Sequence, residues 1–183
     1  MAHGNSQGPS EWITRFMHLA PAGADVLDLA CGRGRHTALF RASGHHVTAV
    51  DRDVSQLGAI ADDDGVEVLE ADLEGEAGWP FTNRTFGAVV VANYLHRPLF
   101  AHLVDGLKPG GVLIYETFAL GNEQFGKPSN PDFLLRPGEL IEAVSGTLVV
   151  VAYEHGMVHH PHPAVVQRVC AVNCVGPAML EPR

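Results

Sequence analysis

The chain is poor in cysteine and in long apolar runs, and it is short of positive charge. Three cysteines in 183 residues (Cys31, Cys170 and Cys174) are too few and too scattered for a disulfide framework and suit a reducing cytosol. Cys170 and Cys174 lie in a strand-like run and read as core residues rather than a metal pair. No apolar stretch approaches the ~20 residues of a membrane helix. The opening MAHGNSQGPSEW lacks the apolar segment of a secretory signal. Lys and Arg number 12 against 21 Asp and Glu, a formal net charge of −9. Nucleic-acid binders usually neutralise phosphates with a basic surface, so a nucleic-acid partner is disfavoured. Apolar residues make up 46% of the chain, enough for one good core. One domain over residues 10–175 is expected, between a loose tail at 1–9 and another at 176–183.

What is present centres on VLDLACGRGRHT, Val26 to Thr37. An apolar run with Asp28 set into it predicts a buried strand. The turn Ala30-Cys31-Gly32-Arg33-Gly34 ends that strand, and Arg35 to Arg41 has helical character up to Gly44. Strand, glycine turn and helix in that order form a nucleotide-binding corner. Glycine lets a ligand approach the backbone, and the helix start offers free N–H groups. A second apolar strand, His46 to Val50, ends in Asp51, about 20 residues past the glycines, where an acid holds a ribose diol. A dinucleotide site prefers a third small residue, and Thr37 stands there instead.

The remaining elements follow in order. Ser10 to Leu19 predicts a helix capped by Ser10, covering one end of a sheet; in the family that the motifs below resemble, such a helix also closes over the cofactor, which implies a contact from Arg15 or Phe16. Val54 to Ile60 reads as a short helix, and Asp62-Asp63-Asp64 as a solvated loop rather than a cation site. Val66 to Glu70 is a third strand, followed by Asp72 and Leu73. Phe86 to Ala92 is continuously apolar, as a central parallel strand should be, and ends in Asn93-Tyr94-Leu95-His96. A helix over Leu99 to Leu107 leads through Lys108-Pro109-Gly110-Gly111 into a fifth strand, Val112 to Phe118. The Gly-, Pro- and Asn-rich stretch from Ala119 to Pro137 is long enough to be a functional loop, read here as a substrate-side lid. A helix over Gly138 to Val144 follows. Two strands close the chain, Leu148 to Glu154 and Val165 to Val172, and the turn between them holds His155, His159, His160 and His162. That histidine run reads as a polar rim to the site rather than a metal centre.

The stretch DLACGRGRH, the VDRD strand end, ADLEG and the KPGG turn resemble class I S-adenosylmethionine-dependent methyltransferases. Ala30 replaces the usual first glycine. The DLACGRGRH form and FLLRPGEL look like the small tellurite-resistance-type bacterial methyltransferases. The resemblance implies an α/β fold: a single Rossmann-like domain with a seven-stranded, mostly parallel sheet, one antiparallel strand, and helices on both faces. It implies S-adenosylmethionine as cofactor, S-adenosylhomocysteine as product, and a small-molecule acceptor. No nucleic-acid or membrane partner is implied, and the expected state is a cytoplasmic monomer or homodimer.

By the same resemblance, Gly32 and Gly34 face the methionine part, alongside Ala30 and His36 of the same motif. Asp28 supports the turn or pairs with the amino group through water. Asp51, with Arg52 beside it, takes the ribose; Asp72 and Leu73 take the adenine; Asn93 lies near the sulfonium. Tyr94, His96 or a hairpin histidine would serve where the acceptor must lose a proton. Asn93-Tyr94-Leu95-His96 lacks the paired prolines of enzymes that methylate base amines. Two other functions share these motifs: a non-catalytic S-adenosylmethionine-binding sensor or subunit, and an NAD-dependent oxidoreductase.

Overall fold

A computed structural model of the chain describes residues 8–75 and 78–180. The tail expected at 1–9 therefore lies largely outside the described residues. Strands β1 (Asp25–Leu29), β2 (His46–Asp51), β3 (Val66–Glu70), β4 (Phe86–Ala92), β5 (Leu107–Phe118), β6 (Val149–Val158) and β7 (Ala164–Val172) form one sheet in the order β3-β2-β1-β4-β5-β7-β6. The first five run parallel; β7 is antiparallel to both β5 and β6. Four short helices flank it: α1 (Glu11–Phe16), α2 (Arg35–Ala42), α3 (Phe100–Asp105) and α4 (Glu139–Val144). The expected seven-stranded Rossmann-like architecture is what the chain adopts.

The two faces of the sheet carry separate cores because strand side chains alternate. Val26, Val90, Ile114 and Cys170 pack on one face against Trp12, Ile13, Phe16 and Phe40 of α1 and α2. Leu27, Val89, Leu113, Val169 and Ala171 pack on the other, against Leu103 of α3 and Leu140 and Val144 of α4. β4, buried along nearly its whole length, is the double-sided strand its continuous apolar run predicts.

Three boundaries differ from the sequence reading. Val54 to Ile60 is not a helix but two 3₁₀ turns, Val54–Gln56 and Gly58–Asp62, split at Gly58, whose φ is +60°. β5 begins at Leu107, five residues early, because Lys108 to Gly111 makes a bulged entry into the strand. A Cβ at Gly111 would lie 2.9 to 3.1 Å from the carbonyl oxygens of Lys108, Phe86 and Gly87, so the bulge tolerates only glycine there. β6 runs on to Val158, which places His155 inside the strand opposite Gln167. The turn keeps only His159, His160 and His162.

Candidate active site

Two clefts open side by side at the carboxyl ends of the parallel strands. The smaller, about 580 Å³, is lined by Ala30, Asp51, Arg52, Asp72, Asn93 and Tyr94, with Leu73 and Glu74 between them. The larger, about 1040 Å³, lies beside it, and Asn93, Thr117 and Phe118 belong to both.

The smaller cleft is built from strand ends and braced by hydrogen bonds. Asp51, at the tip of β2, accepts the Gly32 N–H at 2.8 Å through Oδ2 and the Asp53 N–H at 3.1 Å through Oδ1. The β1–α2 turn is thereby tied to the next strand, helped by the Cys31 N–H on the Val50 carbonyl. Ala30 and Asn93 have φ of +55° and +57°, and they are the only non-glycine residues at positive φ among those described. Both line this cleft. Left-handed backbone at a residue with a Cβ costs about 1 kcal/mol or more and persists where surrounding structure enforces it. Here the enforcing bonds are those of the Asp51 brace and the Asn93 N–H on the Glu116 carbonyl. Asp72 folds its own turn through the Glu74 N–H.

Asp28 lies beneath the turn, 1% exposed, and accepts the Thr37 hydroxyl at 2.6 Å. Thr37, standing where a dinucleotide site has its third small residue, thus fastens α2 to β1. Burial pushes the Asp28 carboxyl up to about 6. Of the two roles the resemblance allows for Asp28, this geometry is the supporting one. Gly34 caps α2 at φ +71° with its α-carbon against Leu57 and Ile60: an added Cβ would come within 2.7 and 3.1 Å of them. The Cβ side of Gly34 is therefore taken up by the 3₁₀ segment. A Cβ on Gly32 would meet nothing within 4 Å, so open space lies over that glycine alone.

His36 departs from expectation. It is 3% exposed, and its Nε2 accepts the Ser10 N–H at 3.1 Å, joining α2 to the start of α1. Burial, with Arg35 nearby, drives it down to about 3, so it stays a neutral acceptor. His96 precedes a 3₁₀ turn, Arg97–Leu99, and lines neither cleft. Arg15 pairs with Glu154 at 3.5 Å and Phe16 is core, so neither lines the smaller cleft; α1 offers Ser10 and Glu11 to the larger one instead. The Tyr94 hydroxyl is buried without a hydrogen-bond partner, and its ring lines the smaller cleft. Burial first, then the charges of Glu74, Asp72 and Asp51, push this phenol upward, which disfavours the phenolate a base would need.

The larger cleft draws on segments far apart in sequence. Arg35 comes from the first turn of α2, Glu116 to Phe118 from β5, Arg168 from β7, and Lys127 from the Gly-rich loop. On the sheet, Arg168 stands between Glu116 and Glu154, opposite both in register and 3.2 and 3.3 Å from them. The loop is braced from within. Asn122 donates to the Pro128 carbonyl and accepts the Val165 N–H, while Arg97 clasps the carbonyls of Asp132 and Leu134 and the buried Glu139 carboxylate. Arg35, Glu116 and Arg168 had no place in the sequence reading of the site. Glu116 had a visible signal, a carboxylate breaking an apolar strand; Arg168 had none, since its partners come from other strands.

A family model described as a methyltransferase domain matches residues 26–111, from β1 into the β5 entry. A demethylmenaquinone methyltransferase of Clavibacter sepedonicus is 36% identical over 107 residues, 54% of this chain and 42% of the relative, so the match spans well under half of that protein. Among solved structures, TehB from Haemophilus influenzae aligns over 93% of this chain and 64% of its own, at TM-score 0.72 and 15% identity. The N-methyltransferase NodS from Bradyrhizobium japonicum aligns over 88% and 94%, at TM-score 0.68 and 16% identity. These likenesses are of fold. Residues 26–111 thus resemble a methyltransferase domain, and the chain as a whole shares its fold with solved S-adenosylmethionine-dependent methyltransferases.

Proposed function

We propose that this chain transfers a methyl group from S-adenosylmethionine to a small-molecule acceptor, with the cofactor in the smaller cleft and the acceptor in the larger. The observation that carries this reading is the coincidence of both strained non-glycine residues, Ala30 and Asn93, with the cleft that Asp51 and Asp72 line. The residues fit the cofactor. The acceptors Asp51 and Asp72 line its cleft, and the buried Tyr94 hydroxyl beside them has no partner.

When bound, S-adenosylmethionine supplies an electrophilic methyl group. Asp51 offers acceptor lone pairs to the ribose while its backbone bonds keep it aimed. Asp72 and the Leu73 backbone stand where the adenine edge is read, with Arg52 at the rim. Tyr94 donates its phenolic hydrogen into the same cleft. Asn93, Thr117 and Phe118 form the common wall, so this is where donor and acceptor meet, and alignment across it supplies most of the rate. Where the acceptor must lose a proton, His160 and His162 are the imidazoles that line its cleft; His96 is not.

The named chemistry of the Clavibacter relative, methylation of demethylmenaquinone, favours an acceptor of small-molecule type. Calorimetric titration with S-adenosylmethionine, S-adenosylhomocysteine and NADH tests the reading. Micromolar binding of the first two, lost in Asp51→Ala, is the expected result. Absence of both sinks it, and binding of NADH alone transfers the fold to oxidoreductase chemistry.

A further inference from the structure

We infer that Glu116 anchors the methyl acceptor, and that the group it anchors is an amine, a nitrogen carrying N–H. The inference rests on the methyltransferase reading and specifies its acceptor. Glu116 is set into the apolar run of β5, is only 9% exposed, and lines the larger cleft. Its backbone stands at the wall the two clefts share. It lies opposite Ala92 in register, and its carbonyl accepts the Asn93 N–H at 3.0 Å. A group held by this carboxylate is thus held close to Asn93, where cofactor and acceptor meet.

The carboxylate has unused capacity. An ionised carboxyl offers about four lone-pair sites, and buried polar groups are nearly always hydrogen-bonded. Among the described residues no N–H or O–H donates to this one. Arg168 approaches its Oε2 at 3.2 Å through Nε, yet that Nε is buried without a hydrogen-bond partner, so the contact is one of charge alone. Arg168 is secured from elsewhere. Its Nη1 donates to Glu154 at 3.3 Å, and its guanidinium lies over the Trp12 ring, 5.8 Å from the centroid. It therefore fixes where the Glu116 carboxylate sits without filling its hydrogen-bonding sites.

The local charge also suits an amine. One guanidinium stands between two carboxylates, so Arg168 does not neutralise Glu116 and Glu154 together. Arg35 and Lys127, the other long cations of the cleft, already have partners, the Gly8 carbonyl at 3.3 Å from Arg35 among them, and neither pairs with Glu116. An amine brings donors and, when protonated, the missing positive charge; hydrogen bonds between charged groups are the strong ones. Phe118 and Val166 form the next cross-strand pair on the same face and line the same cleft, an apolar support for the body that carries the nitrogen.

Two probes of equal charge isolate the hydrogen bond: 2-naphthylmethylammonium, whose nitrogen carries N–H, and its N,N,N-trimethyl derivative, whose nitrogen carries none. Both are titrated calorimetrically into the full chain with and without saturating S-adenosylhomocysteine. The primary ammonium should bind about tenfold tighter, the scale of a hydrogen bond to a charged group. Glu116→Leu should reduce that preference to about twofold or less and leave S-adenosylhomocysteine affinity unchanged. Glu116→Gln, which keeps the shape and one acceptor oxygen, should narrow it to about threefold, and it carries the test if the leucine variant fails to fold. A carboxylate that serves only to pair with Arg168 would lower the urea midpoint when replaced and leave the ratio between the probes as it was. That outcome overturns the inference. So does equal or tighter binding of the trimethyl probe to the unaltered chain, or primary ammonium binding undetectable at millimolar concentration. Failure of S-adenosylhomocysteine to bind would instead strike the methyltransferase reading, and the cofactor-free titrations report on Glu116 independently.

Discussion

The two clefts share a wall but are made in opposite ways. The smaller is assembled mainly from the tips of β1 to β4, closed by Thr117 and Phe118 of β5 and by Pro128 and Phe133, and its key carboxylate is fixed by backbone N–H groups. The larger is assembled from side chains on five separate segments, held by ion pairs and by a loop that braces itself. Rigidity of the first kind needs only local sequence; rigidity of the second needs the whole sheet. The smaller cleft is thus largely written into neighbouring motifs, whereas the larger depends on how distant elements are brought together.

That contrast can be broken at either end. Asp51→Ala removes both the ribose acceptor and the brace on the Gly32 turn, and should lower affinity for S-adenosylhomocysteine by about 100-fold, a loss of ~3 kcal/mol, in calorimetry. Retention within tenfold would mean that the turn is held without Asp51. At the other cleft, Arg97→Met leaves the nearly buried Glu139 without its main partner and frees the loop carbonyls of Asp132 and Leu134. Because Arg97 is itself more than a third exposed, the expected cost is discounted to about 2 kcal/mol in urea unfolding. Cofactor affinity should be unchanged, which would separate the two clefts experimentally.

Gly34→Ala sharpens the comparison from within the motif. A Cβ there has unfavourable φ and would overlap the Leu57 side chain at 2.7 Å, so stability should fall by about 2 kcal/mol, read as a lower urea midpoint. Gly32→Ala carries the backbone strain alone, without the overlap, and should cost less stability while losing more cofactor affinity. An equal effect of both substitutions on stability would remove the distinction drawn between these glycines.

His36 gives the smallest signal. It is neutral in the folded chain, down to about 3, against about 6.5 when unfolded, so the unfolded state binds the proton first. Its contribution to stability is complete above pH 6.5 and is lost as pH falls toward 3. Between pH 6.5 and 5 the loss approaches 2 kcal/mol at most. Asp28, raised to about 6, acts in the opposite sense: its burial costs stability as pH rises from about 4 to 6 and is relieved by acid. His36→Gln should flatten the acid limb of the stability curve measured by urea unfolding from pH 4.5 to 7. An unchanged slope would show that His36 is not the group responsible.

Much of this was readable from residue order. The seven strands, the central apolar β4, the acid at the tip of β2 and the left-handed demands of Gly32 follow from local patterning and turn chemistry. So does the convergence of Ala30, Asp51, Asp72 and Asn93, because parallel strands in this topology end on one edge. Three residues owe their surroundings to partners that local sequence does not reveal. His36 sits in the motif by sequence, but helical geometry turns it to the buried side, against the Ser10 backbone. Gly34 shares the conformation of Gly32 but meets a segment more than twenty residues away. Tyr94 follows Asn93 at the strand tip, yet burial among carboxylates pushes its phenol upward.

By itself the sequence determined the doubly packed sheet and the edge where the acid-tipped strands end, since both depend on periodicity and on spacing between neighbouring elements. Only the tertiary structure decided the larger cleft. Arg35, Lys127, Glu116 and Arg168 become neighbours of one cleft solely because β7 inserts between β5 and β6, and because the loop after β5 folds back on β7 through Asn122. Charge complementarity is a property of positions in space, and no one-dimensional spacing encodes it.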